Sequence, residues 1–125
     1  MEMQKAAFMR GIDKMVIEEV PVPEAGEKQV LVQLEYVGIC GSDVHYFHHG
    51  CCGAYKVDLE KDFMLGHECA GTVVKTGPGV EHLKVGERVA LEPGITCGKC
   101  EFCKTGRYNL CPDVVFLATA PVQGC

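Results

Sequence analysis

Hydrophobic and polar positions alternate along this chain in short runs, and glycine and proline separate the runs. Residues 5–9 and 15–20 are β-prone, and Arg10-Gly11-Ile12-Asp13-Lys14 between them is turn-like, with Gly11 free to take positive φ. The pair predicts a hairpin. Pro21-Val22-Pro23-Glu24-Ala25-Gly26-Glu27 cannot pair as a central strand and predicts an extended surface connection. From Gln29 to Val37 the alternation is clean: Val30, Val32, Leu34 and Tyr36 share one face and Gln33 and Glu35 the other, which predicts a half-buried strand. Residues 41–49 predict a helix of about two turns, broken at Gly50-Cys51-Cys52-Gly53. The polar stretch 54–62 predicts an exposed loop before Phe63-Met64-Leu65. Residues 68–76 form another strand pattern in which Gly71 allows close backbone packing, Gly77-Pro78-Gly79 turns it, and residues 86–91 give one more turn and strand. Short strands, Gly/Pro turns and little helix predict a mainly β fold, a small and mostly antiparallel barrel or sandwich.

Composition narrows the picture. The 125 residues are one domain's worth of chain, with 47% apolar and 23% charged residues, an ordinary globular balance. A net charge of −5 argues against a nucleic-acid or anionic-membrane partner, and the absence of Trp removes the best stacking platform for bases. The first residues, Met1-Glu2-Met3-Gln4-Lys5, lack the apolar segment of a secretion signal, so a cytoplasmic protein is expected. In that compartment nine cysteines read first as metal ligands or free thiols and only second as disulfides. The odd count also leaves one unpaired.

Two clusters carry candidate chemistry. In the first, Gly38-Ile39-Cys40-Gly41-Ser42-Asp43-Val44-His45 follows a strand pattern, and Gly66-His67-Glu68 supplies a second imidazole and carboxylate. A thiolate (Cys40), an imidazole (His67) and a carboxylate (Glu68) make a borderline-soft donor set that suits a catalytic zinc with an open position. The competing reading is a buried cysteine near an unrelated histidine, and His48 and His49 read as a solvated helix face. The second cluster, Cys97-x2-Cys100-x2-Cys103-x7-Cys111, wraps three sulfurs around an ion and returns a fourth to close a tetrahedron. Its rival is an iron–sulfur site, because Pro112 follows Cys111, but the last gap is too long for the ferredoxin spacing and no second cysteine run exists. Gly77-Pro78-Gly79 is no dinucleotide fingerprint: the third glycine is missing and too few residues follow for the helix.

Together GICGSDVH, GHE and VGERVALEPGITCGKCEFCKTGRYNLC resemble the zinc-dependent medium-chain dehydrogenases, most of all the polyol branch that includes sorbitol and xylitol dehydrogenases. The resemblance implies a GroES-like β-barrel catalytic domain with a projecting lobe at residues 94–112. It implies two zinc ions per chain: a catalytic one on Cys40, His67 and Glu68, and a structural one on Cys97, Cys100, Cys103 and Cys111. The implied reaction is NAD(H)-dependent oxidation of a polyol or other secondary alcohol to a ketone. Ser42 and His45 are then the proton relay, with imidazole suited to proton exchange near neutral pH. Asp43 accepts the spare ring N–H of His67, and Tyr46 contacts substrate. Members of this family continue into a Rossmann cofactor domain and work as oligomers. Residues 1–125 are therefore expected to be a truncated catalytic domain, without a cofactor site and inactive alone, with a further zinc ligand or a supporting carboxylate elsewhere. Threonine and glucose dehydrogenases share most of these motifs, and a non-catalytic zinc-stabilised interaction module would account for the second cluster alone.

Overall fold

A computed structural model describes all residues, 1–125. In chain order the elements are β1 (Met3–Met9), β2 (Met15–Pro21), β3 (Val30–Gly38), α1 (Gly41–His49), β4 (Cys51–Cys52) and β5 (Tyr55–Lys56). There follow β6 (Glu68–Thr76), β7 (Arg88–Ala90), β8 (Gly94–Ile95), α2 (Glu101–Lys104), a 3-10 turn at Tyr108–Leu110 and β9 (Val115–Phe116).

The expected hairpin is present: β1 and β2 pair antiparallel from Met3 opposite Pro21 to Met9 opposite Met15. β6 is the centre of a three-stranded antiparallel sheet, with β3 on one side and β7 on the other. α1 starts directly after β3 and stops at Gly50, whose left-handed φ of 68° lets its N–H return to the Tyr46 carbonyl at 2.7 Å. The fold is mainly β, as the strand patterns predict. Its strands lie in four separate sheets that no ladder joins, so hydrogen bonding within these residues does not close a barrel.

Two expectations need correction. Residues 51–56 are not all loop: β4 and β5 form a small hairpin, and Val57 after it is buried in the core. The polarity of the stretch hid this, because a two-residue strand has no alternation to read. The alternating face of β3 is also not uniformly half-buried, since Tyr36 is 69% exposed and Leu34 is exposed. Leu34 pairs with Gly71 and Tyr36 with the next residue along, Ala70, so Glu35 is a bulge that breaks the alternation.

The core gathers Met9, Tyr46, Val57, Phe63 and Ala120 from widely separated segments. Met9 and Phe63 exchange both backbone hydrogen bonds, at 2.7 and 3.0 Å, which ties the hairpin to the segment leading into β6. Few residues share this shelter, for only 14 of 125 are buried. The accessible surface is 8525 Å², whereas a compact monomer of 13.6 kDa has about 6,600 Å². The excess lies partly on Ile17, Tyr36, Ile39 and Val85, apolar side chains left without cover.

Where β3 and β6 approach, Gly71 is required. A Cβ there would stand 2.1 Å from the backbone oxygen of Gln33. Gly71→Ala should therefore destabilise the protein by more than about 2 kcal/mol, by forcing two strands apart. Gly41 opens α1 with nothing within 4 Å of the same position, so Gly41→Ala should stay within about 1 kcal/mol of the parent. Denaturant midpoints of the two variants check the contrast.

Candidate metal centres and active site

The first site is assembled where β3 gives way to α1. Cys40 is the residue before the helix, with extended backbone (φ −87°, ψ 155°), so its side chain stands at the open helix end. Asp43, one turn later, folds back and accepts the Cys40 N–H at 3.0 Å through Oδ2. Its other oxygen, Oδ1, accepts the N–H of Gly66 at 3.3 Å. One buried carboxylate thus holds both segments that carry candidate ligands.

The next residue after Gly66 is His67, buried, with Nδ1 3.4 Å from Asp43 Oδ1. The pair is close enough for attraction but lacks hydrogen-bond geometry, and Nδ1 has no other partner. The ring also receives the ring of Phe116 edge-on, with centroids 5.6 Å apart and planes at 65°. Glu68 is exposed and lies over Gly38, where a Cβ would come within 2.8 Å of its Oε2. The ligand atoms of Cys40, His67 and Glu68 all fall within 4.8 Å of one another. Thiolate, imidazole and carboxylate at that spacing fit zinc, and a buried ring nitrogen facing a carboxylate is the usual support of a metal-bound histidine.

Ser42 and His45 sit on α1, three residues apart and therefore on one helix face. His45 Nδ1 lies 2.6 Å from the Cys51 carbonyl. A carbonyl only accepts, so Nδ1 carries the proton and Nε2 is left free. His48 and His49 are exposed, His48 pairing with Asp13 and His49 packing against the His45 ring at 4.6 Å. Tyr46, between His45 and Phe47, is buried. It is 2% exposed, its ring packs against Phe63, and its hydroxyl accepts the Ala120 N–H at 3.3 Å. Tyr46 shares a helix face with Ser42, four residues earlier, and lies on the buried side of it, so its ring is part of the core. An apolar cavity of about 470 Å³ borders Gly38, Asp43 and Val44 but touches none of the three ligands, so it lies behind the site.

Phe116 and Gly38 are the residues of this site that sequence patterns do not single out. Gly38 sits in the same run as Cys40 and carries a signal only once Glu68 is known to lie across it. Phe116 comes after the cysteine cluster with nothing in its spacing to connect it to His67.

The second site is the lobe between β8 and β9. All four cysteines are free thiols, and their sulfurs lie within 4.8 Å of one another. Cys103 Sγ is 3.5 Å from Cys100 Sγ and 3.9 Å from Cys97 Sγ. Zinc–sulfur bonds of about 2.3 Å place the sulfurs of a tetrahedron about 3.8 Å apart, so the four are spaced for zinc. Backbone N–H groups already point at the sulfurs: Cys100 N to Cys97 Sγ at 3.3 Å, Cys97 N to Cys111 Sγ at 3.4 Å and Cys103 N to Cys100 Sγ at 3.5 Å. Backbone donation from Lys99, then from Cys100, brings the Cys97 thiol down to about 6. Burial, followed by the neighbouring Cys125, pushes Cys69 up to about 12.

The alcohol dehydrogenase GroES-like domain matches residues 26–125. The chain is 57% identical over 120 residues to a sorbitol dehydrogenase of Bacillus subtilis, covering 96% of this chain and 33% of that protein. It is 53% identical over 117 residues to a probable D-xylulose reductase A of Arthroderma otae, covering 93% and 32%. The chain thus spans about a third of the length of the curated relatives it matches. Among solved structures, an Escherichia coli oxidoreductase of unknown specificity superposes with a TM-score of 0.87 at 46% identity, covering 99% of this chain and 36% of that one. A zinc-binding dehydrogenase of Sinorhizobium meliloti bound to NADP does so with a TM-score of 0.79 at 32% identity, covering 100% and 34%. No helix is long and apolar enough to cross a membrane.

The contrast between Cys97 and Cys69 sets a test. A lowered thiol is already thiolate above its pKa, and thiolate is the species that alkylates. In metal-free protein at pH 7, iodoacetamide should modify Cys97 ahead of Cys69. The rate at Cys97 should rise with pH through a midpoint near 6, while Cys69 stays inert. Adding zinc should protect Cys97, and peptide mass mapping across pH reads both.

Proposed function

We propose, from the premise that this chain belongs to the alcohol dehydrogenase GroES-like domain family, that it carries the metal-binding and proton-transfer residues of a zinc-dependent polyol dehydrogenase using NAD(H). The reaction is oxidation of a secondary alcohol to a ketone. The observation that carries this reading is the meeting of Cys40, His67 and Glu68 within 4.8 Å, beside a helix that presents Ser42 and His45. Two zinc ions per chain account for the two clusters, one on these three residues and one on Cys97, Cys100, Cys103 and Cys111. Similarity to a sorbitol dehydrogenase and a D-xylulose reductase supports a polyol over threonine or glucose.

Zinc at the first cluster supplies Lewis acidity, which lowers the pKa of an alcohol hydroxyl. NAD supplies the hydride acceptor, held by a part of the protein outside these residues. This chain's own side chains handle the proton. Cys40, His67 and Glu68 fix where the hydroxyl sits. Asp43 faces His67 Nδ1, which would leave Nε2 to hold the metal. Ser42 Oγ takes the hydroxyl proton and passes its own to His45. His45 receives it at Nε2, because its Nδ1–H is held by the Cys51 carbonyl. The position of His45 at the surface then opens the way to water.

Metal content tests the ligand sets. Wild-type full-length protein should hold two zinc ions per subunit, and Cys40→Ser should lose one while the fold survives. Cys111→Ser should lose the other and lower the melting temperature, since structural zinc contributes folding free energy directly. Wild-type zinc content in fresh, metal-replete Cys40→Ser would rule out the catalytic ligand set. A chain that binds one zinc only, with Cys40→Ser silent, would leave the non-catalytic module standing.

The relay has its own check in the full-length enzyme with sorbitol or xylitol. Ser42→Ala and His45→Ala should retain zinc but lower kcat by about 10²-fold or more and alter its pH dependence. Unchanged pH–rate profiles in both would remove the relay.

A further inference from the structure

His67 is held from two sides. Asp43 faces its Nδ1, and the Phe116 ring meets it edge-on with centroids 5.6 Å apart. Asp43 belongs to α1, but Phe116 belongs to the far strand of the lobe. β8 and β9 form a clasp there, with Gly94 opposite Phe116 and Ile95 opposite Val115. Next to the clasp the Leu117 N–H donates to the Pro93 carbonyl at 3.0 Å. The Phe116 ring lies across Gly94, its Cδ2 3.7 Å from where a Cβ would stand.

The clasp is short, and its strands are tied directly to metal ligands. Cys97 follows β8 by two residues, and Cys111 precedes β9 by four. Between them the lobe has almost no apolar interior: Cys111 is its one buried residue, while Ile95, Tyr108 and Leu110 are exposed. What draws Cys97 to Cys111 therefore adds to the short ladder and the Leu117–Pro93 hydrogen bond in holding β8 to β9. What holds β9 in place sets the Phe116 ring on His67.

We propose that Phe116 is a positioning residue for His67, and that through it the two metal centres are energetically coupled. The proposal rests on the ligand sets given above. Coupling of this kind is reciprocal: metal in the lobe strengthens binding at Cys40, His67 and Glu68, and metal there strengthens the lobe by the same factor. An edge-on aromatic contact of this kind corresponds to a change in affinity of roughly three- to ten-fold.

Cobalt(II) substitution in the full-length protein tests this, because a four-thiolate site and a mixed thiolate–imidazole–carboxylate site have different visible spectra. Competition with a chelator gives the affinity of each. Phe116→Ala should keep the four-thiolate spectrum, shift the spectrum of the mixed site and weaken that site roughly three- to ten-fold. Phe116→Tyr, which keeps the ring, should restore both. Phe116→Leu keeps apolar bulk at the clasp without a ring, and it should weaken the mixed site too, which decides the matter if the alanine variant disturbs the lobe. Cys100→Ser, which empties the lobe, should weaken the mixed site by the same factor, and adding Phe116→Ala to it should cost nothing more. Wild-type affinity and spectrum at the mixed site in both Phe116→Ala and Phe116→Leu would overturn the coupling alone. Strictly additive losses in the double variant would do the same. A mixed-site spectrum that survives in Cys40→Ser would overturn the ligand reading, and the coupling with it.

Discussion

The Asp43 carboxylate is the interaction on which this architecture turns. Taking a carboxylate out of water is costly unless its oxygens find donors, and here each oxygen has one. Oδ2 takes the Cys40 N–H and Oδ1 the Gly66 N–H. These donors belong to segments 26 residues apart, one ending β3 and the other entering β6. The β3–β6 ladder runs between Gly38 and Glu68 at this same end, so the carboxylate and the ladder hold one corner together. Cys40, His67 and Glu68 stand at that corner. Their mutual distance follows from a hydrogen-bonded helix start and a strand register, and no side chain has to be held by the metal first.

The lobe follows the opposite logic. Its four sulfurs are spaced for an ion, its backbone donors already serve those sulfurs, and it buries almost nothing apolar. Structural zinc in peptides of this kind contributes on the order of 10 kcal/mol, more than the few side chains here could gain by contact. One chain therefore carries two solutions to the same problem. A small hydrophobic cluster around Met9, Tyr46 and Phe63 steadies the sheets, and metal chemistry steadies the excursion.

Much of this was legible in the residues. The hairpin, β3, α1 and β6 followed from alternation and from glycine at the breaks, because their periodicity runs for seven or more residues. The two donor clusters followed from residue chemistry and spacing, and the fold brings each together. The remainder depends on long-range partners that local patterns do not encode. Tyr46 carries a substrate role only through the family resemblance; its burial against Phe63 is a long-range contact that no local pattern encodes. Leu34 and Tyr36 are exposed because both faces of β3 lack cover from Gln33 to Val37, which composition does not reveal. β4–β5 was too short to alternate, and Phe116 has no motif at all.

The two-residue clasp of β8 and β9 has a consequence for how such a chain changes over time. The lobe leaves and re-enters the body at almost the same point, with Pro93 and Leu117 joined by one hydrogen bond. Seen from the rest of the fold, everything between them is an insertion. Lengthening or shortening an excursion with a closed neck alters loop entropy only logarithmically, so the loops among the cysteines can change length at little cost. The neck is more constrained, because β9 carries Phe116, whose ring meets His67.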